Sequence, residues 1–343
     1  MMRRLSVWRG GIVAAWIVVL LLAGCGPDLA LIDTSNDLYI NAIALTGQGT
    51  GWAVGLEPGK KQSILLQEMH GTWQIASDAP KFTQGEAIKS LAVQGTTLLI
   101  AGSLTDAAHG DATQVSGFAY LRGTDGTWQR TTLGQSVNAA VLISAHEAWG
   151  VGAGGAIYHG VDGKWNQSPN EMSNDLLGVA FRAPDDGWAV GDQGVFIHYD
   201  GHVWRHIEHF THETIYSVAL SATDGWAVGT GGTTIRLGSD GKWFEVTTPI
   251  ITTNRAVTIV ANNAWLVGDH GAVFEYADAD QQWHHIAPPE DLQLNALALA
   301  LSSSLARKST TGPVETLICK SERRVGRVPM RLAMCLSSES ISI

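Results

Sequence analysis

The pentapeptide Gly-Trp-Ala-Val-Gly recurs along this chain, and no other feature restricts its fold so tightly. It stands at 51–55, 187–191 and 225–229, with near copies AWGVG at 148–152 and AWLVG at 264–268 and a degraded copy, TLLIAG, ending at Gly102. At the aligned position the residues are Trp52, Leu99, Trp149, Trp188, Trp226 and Trp265, spaced by 47, 50, 39, 38 and 39 residues. A second tryptophan series keeps step with the first: Trp73, Trp128, Trp165, Trp204, Trp243 and Trp283, usually just after Asp-Gly, as in Asp162-Gly163-Lys164-Trp165. A fixed period of roughly 20–50 residues is the signature of a repeat architecture. Six units are visible.

Each unit contains four short apolar and β-branched runs, as in Leu177–Phe181, Trp188–Val190, Val195–Tyr199 and Trp204–Ile207, with Gly, Asp and Asn filling the gaps. Such runs between turn residues read as strands. Four strands per roughly 40 residues make one blade of a propeller. The expected fold is therefore all-β, a β-propeller over residues 38–300 with six repeats and a partial seventh. Both faces of a blade pack on neighbours, which explains why Trp-Ala-Val is apolar on both sides. The flanking glycines suit turn positions with positive φ and a tight backbone approach between neighbouring strands. Equivalent placement of the tryptophans in nearly every unit assigns them to packing, because stacking platforms for sugars or bases need exposed rings at selected sites.

The ends of the chain differ from its body. Arg3, Arg4 and Arg9 precede an apolar run from Gly11 to Leu22, which is too short for an ordinary spanning helix and reads as a signal peptide over residues 1–24. The run closes in Leu22-Ala23-Gly24-Cys25, which looks like a bacterial lipobox with Cys25 as the lipidated first residue of the mature chain. Acyl chains contribute roughly 0.8 kcal/mol per buried CH₂, so two or three of them tether a soluble domain. The expected location is extracytoplasmic, anchored to the membrane by lipid, with a linker at 25–37. The other cysteines, Cys319 and Cys335, lie in the tail, so the repeat body has no disulfide and no zinc spacing. Residues 25–300 carry 12 Lys and Arg against 29 Asp and Glu, a net −17, which argues against nucleic acid as a partner. A basic protein patch, a cation or no charged partner at all is compatible with such a surface.

Taken together, Gly187-Trp188-Ala189-Val190-Gly191-Asp192-Gln193-Gly194 with Asp200-Gly201-His202-Val203-Trp204 resembles the repeat of the photosystem II stability and assembly factor-like propellers. The Asp-Gly-Trp element resembles a degenerate Asp-box of the neuraminidase type. The resemblance covers roughly residues 38–300 and implies a lipid-anchored or lumenal, non-enzymatic scaffold that holds a membrane protein complex. The photosynthetic members carry an Arg-rich patch, whereas this body has only scattered Arg122, Arg130, Arg182, Arg205, Arg236 and Arg255. The expected partner is thus an unidentified protein of the cell envelope.

Candidate chemistry is sparse. Phe181-Arg182-Ala183-Pro184 resembles the substrate-carboxylate element of sialidases, but it falls in a middle unit, and the further arginines and Tyr–Glu pair of such an enzyme are not recognisable. It supports only an alternative, a glycan-binding or sialidase-like propeller. His198, His202, His206, His209 and His212 cluster in sequence without a completing carboxylate or Cys spacing, and read as solvated rim residues. Asp162, Asp192, Asp240 and Asp269 read as turn formers. No catalytic residue, metal site or cofactor is expected. After Trp283, Leu294–Leu299 matches the first strands Ile40–Leu45 and Ile215–Leu220 position for position, then the pattern stops. Residues 301–343 are basic, lack Trp and read as a frameshifted or replaced remainder of a seventh unit, with a genuine extension that binds a partner as the alternative. Cells fed a labelled fatty acid are expected to label the wild-type chain and not a Cys25→Ala variant; equal labelling of the two would remove the lipobox reading.

Overall fold

In the computed structural model the chain is described over residues 39–286, apart from loops at 47–50, 58–59, 61, 70–71, 106–114, 208–210, 239, 250 and 261, together with strands Asp28–Leu31, Gln293–Leu301 and Met330–Ser337. Cys25, the signal segment, the rest of the 25–37 linker and most of the tail lie outside the described residues. Among the described residues no helix is long and apolar enough to cross a membrane.

Six four-stranded antiparallel sheets form a ring, so the chain is a β-propeller. Blade 1 runs from Tyr39–Leu45 to Thr72–Ile75 and blade 2 from Glu86–Gln94 to Trp128–Leu133. Blade 3 runs from Val137–Leu142 to Lys164–Gln167, blade 4 from Leu176–Ala183 to Trp204–Ile207, blade 5 from Ile215–Leu220 to Trp243–Glu245, and blade 6 from Asn254–Val260 to Gln282–His285. The strands of each blade pair in sequence order, as hairpins require. First strands lie beside the first strands of neighbouring blades, which places them innermost. Each fourth strand is an outer edge and is short.

A seventh blade is not shown. Gln293–Leu301 is a strand, as its match to Ile40–Leu45 predicts, and it touches the first strands of blades 1 and 6. It belongs, however, to a three-stranded sheet in which Met330–Ser337 pairs antiparallel with it and parallel with Asp28–Leu31.

The two tryptophan series meet across the seams between blades. Trp149 of blade 3 packs edge-on against Trp204 of blade 4, with centroids 5.6 Å apart and rings at 74°. Trp188 meets Trp243 of blade 5 at 5.3 Å and 79°, and Trp226 meets Trp283 of blade 6 at 5.3 Å and 78°. This is the T-shaped arrangement that the ring quadrupoles favour, contributing about 0.5–1.5 kcal/mol per pair beyond burial. In the other two seams Trp128 packs with Trp52 between blades 1 and 2, and Leu99 joins Trp165 between blades 2 and 3. Trp52, Trp149, Trp188, Trp226, Trp265, Trp204 and Trp243 are buried, and Trp73, Trp128, Trp165 and Trp283 are half-buried.

The last glycine of the motif acts through close approach. Gly191 has an extended backbone (φ −171°), and a Cβ there would lie 2.0 Å from the carbonyl oxygen of Asp175. Gly102, Gly152, Gly229 and Gly268 meet the corresponding carbonyl oxygens of Ala87, Ser136, Thr214 and Thr253 at 1.8–2.2 Å. Positive φ falls instead in the following 3₁₀ turn, at Gln193 and Gly194 for instance. Trp188→Ala, removing a side chain that is 6% exposed, is expected to lower unfolding free energy by about 3–5 kcal/mol in denaturant titration. An unchanged midpoint would contradict the seam account.

Candidate functional site

The glycine approach has a partner on the first strand. In every blade the pairing of first and second strands slips by one residue near its start: between Ile40 and Ala42, Ile88 and Ser90, Val137 and Ala139, Leu176 and Gly178, Ile215 and Ser217, and Asn254 and Ala256. Each slip is a β-bulge, which leaves one residue unpaired and re-aims its side chain. The six re-aimed residues are Asn41, Lys89, Asn138, Leu177, Tyr216 and Arg255. All are exposed or half-buried, whereas the residues just before them are buried. Since first strands are innermost, the six ring one mouth of the central channel, on the face that also carries the 3₁₀ turns.

Sequence equivalence and chemical variety coincide here. Several of these side chains bridge seams: Asn41 Nδ2 donates to the Ile88 carbonyl at 2.7 Å, and Asn138 Nδ2 to the Leu176 carbonyl at 2.9 Å. Lys89 Nζ donates to Asn138 Oδ1 at 2.8 Å and Ser136 Oγ at 3.2 Å. Arg255 lies over the Tyr216 ring at 5.7 Å and pairs with Asp269 at 2.6 Å. Partial desolvation by the surrounding wall pushes the exposed Lys89 ammonium below its ordinary range, and the charge of Asp175 partly opposes this.

Glu86, at the start of the first strand of blade 2, is buried with Arg130 Nη2 at 2.7 Å, the Tyr120 hydroxyl at 3.1 Å and the Thr83 backbone N–H at 2.8 Å. Burial raises the Tyr120 phenol above its usual range, and the adjacent Glu86 adds to the shift. This network stands in the blade whose motif has Leu99 in place of tryptophan.

On the opposite face the second-strand tryptophans are braced by residues ten positions later. His159 stacks on Trp149 at 4.1 Å and bonds Glu147 at 2.9 Å; His198 stacks on Trp188 at 4.4 Å and bonds Asp186 at 2.9 Å. In blade 5 Arg236 lies over Trp226 at 5.2 Å and pairs with Asp224 at 3.0 Å. His198 is therefore a half-buried packing residue and not a solvated one, while His202, His206 and His212 are exposed; His209 lies outside the described residues. Arg182 of the sialidase-like element faces Asp186 at 3.6 Å, the same carboxylate that holds His198, so it joins an internal ion pair. Among the described residues no group of three or more His, Cys, Asp or Glu is placed to hold a metal.

The sequence reading missed the bulge ring. Aligning the units on their tryptophans places these residues 10 or 11 positions upstream of Trp52, Leu99, Trp149, Trp188, Trp226 and Trp265, each after a residue that is apolar in every unit but the last. That signal shows a shared position but not a bulge, which exists only in strand register.

No protein-family profile matches the chain, and no curated protein matches it. Solved structures do match. The chain is similar to YCF48 bound to D1 peptide (17% identity, TM-score 0.53, covering 72% of this chain and 80% of that one) and to YCF48 from Cyanidioschyzon merolae (15%, 0.57, 76% and 90%). It is also similar to the WD40 β-propeller domain of Doa1 (8%, 0.59, 76% and 86%). At these identities the likeness establishes the propeller fold. Arg130→Met, which leaves the buried Glu86 carboxylate without its cation, is expected to cost about 3 kcal/mol of unfolding free energy. Arg205→Met, breaking the exposed pair with Asp200, is expected to cost less than about 1 kcal/mol; equal losses would refute the distinction.

Proposed function

We propose that this chain is a non-enzymatic, extracytoplasmic lipoprotein whose propeller binds a protein, serving the assembly or stability of a cell-envelope complex. The observation that carries the reading is the bulge ring: six equivalent positions, fixed by the fold, hold amide, ammonium, aliphatic, phenolic and guanidinium groups. Packing alone would repeat the same residue, as it does at the tryptophans. Varied side chains on a rigid frame suit recognition of an irregular partner surface. The likeness to a propeller solved with a bound peptide supports the same direction. The lipobox and the net charge of residues 25–300 add the membrane tether and an acidic outer surface.

The glycan alternative has no observation in its favour. The tryptophans are buried or half-buried in seams, and Arg182 is engaged by Asp186. To test the protein-binding reading, a photoreactive amino acid is placed at Leu177, on the mouth, or at Asp240, in a turn of the opposite face, of the full-length chain in its own membranes. A discrete cross-linked protein from position 177 and none from 240 is expected. Indistinguishable products from the two positions would overturn the assignment of the mouth.

A further inference from the structure

Lys89 differs from its neighbours in the ring in one respect, its charge. The seam bridges made by Asn41 and Asn138 show that a neutral amide suffices to join adjacent blades at this position. Lys89 bridges blades 2 and 3 in the same way, through Ser136 and Asn138, and both acceptors are neutral oxygens. Two of its three ammonium donors are thereby used. The other cation of the ring, Arg255, is compensated by Asp269. Among the described residues no carboxylate lies within ion-pair distance of Lys89, and the acid that acts on it, Asp175, already accepts a hydrogen bond from the Gly154 backbone. The surrounding wall lowers the pKa of this ammonium, although the side chain stays exposed at the mouth.

We infer that Lys89, set in the Ser136–Asn138 cradle, is the receptor for a carboxylate of the bound partner, reached through the mouth of the channel. This rests on the protein-binding reading and names the chemistry that the mouth selects. A carboxylate supplies the counter-charge that the fold leaves out, and the free N–H of the exposed ammonium meets it in a charge-assisted hydrogen bond. The carboxylate can come from an acidic side chain or from a chain terminus.

Three fluorescein-labelled hexapeptides of one apolar sequence serve as probes: one with a free C-terminus, one amidated with a central Glu, and one amidated and uncharged. Fluorescence anisotropy with the full-length chain in detergent is expected to show binding by at least one charged probe, weakened by added salt, and weaker or no binding by the uncharged one. Which charged probe binds distinguishes terminus from side chain. Lys89→Gln keeps a neutral bridge and is expected to weaken that probe about ten- to a hundredfold with an unchanged melting temperature, and Lys89→Arg to restore most of the affinity. Equal binding of charged and uncharged probes, or full affinity in Lys89→Gln, would overturn the inference. Binding by none of the three would overturn it too, and the cross-linking from Leu177 would still decide the protein-binding reading independently.

Discussion

The edge-on contact between tryptophans of successive blades is the interaction on which the remainder of this ring depends. A propeller blade has no core of its own: four strands bury their faces only by lying against the next blade. Trp149–Trp204, Trp188–Trp243 and Trp226–Trp283 bring the second strand of one blade to the fourth strand of the next, so each contact spans the width of a seam. A tryptophan buries about 150–250 Å², so the contact supplies area and orientation at once. The charged or imidazole groups of Arg236, His159 and His198 cover the exposed faces of the same rings and are tied to carboxylates, which keeps the indoles from turning.

The glycine at the end of each motif and the bulge opposite it form a second constraint, linked to the first by the strand between them. The missing Cβ at Gly191 lets the chain of Asp175 cross closely, and the slip that follows throws one side chain out of the ladder. Because the backbone alone produces this geometry, the ejected residue is released from the strand ladder, and its side chain can bridge a seam or face the mouth. Asn41 and Tyr216 thus occupy one structural position while differing in every chemical property. Scaffold and recognition are separated within a single strand.

How much of this was legible in the sequence follows from the same separation. The tryptophans and glycines repeat because packing repeats, so six repeats, their strand order and burial of the Trp series could be read from spacing, while the choice between six and seven blades could not. The flanking glycines were expected to serve both positive φ and close approach, and the extended φ at Gly152, Gly191, Gly229 and Gly268 leaves only close approach at the final one. His198 was misread because its partner, Trp188, lies across a hairpin, although the same ten-residue step recurs at His159 and Arg236. The bulge ring was hidden by its very variety, since recurrence was the signal being followed. Beyond Leu301 the tail departs from the repeat, and Met330–Ser337 pairs with Gln293–Leu301 without any motif to announce it.

The parallel pairing of Asp28–Leu31 with Met330–Ser337 fixes a direction. Met330–Ser337 runs opposite to Gln293–Leu301, which touches the 3₁₀ turn Asp269–Gly271 on the mouth side, so Asp28 enters the ring from the far side, among the Asp-Gly turns. Cys25 stands three residues before Asp28, at most about 10 Å of extended chain. On the lipoprotein reading proposed above, a lipid attached there would mount the propeller base-down, with its channel opening outward like a cup on a short stem. The base carries Asp125, Asp162, Asp185, Asp200 and Asp240 in its turns, with Lys164, Arg205 and Lys242 beside them. On the same reading the ring of varied side chains at the mouth would face away from the bilayer, toward partners that approach from the aqueous side.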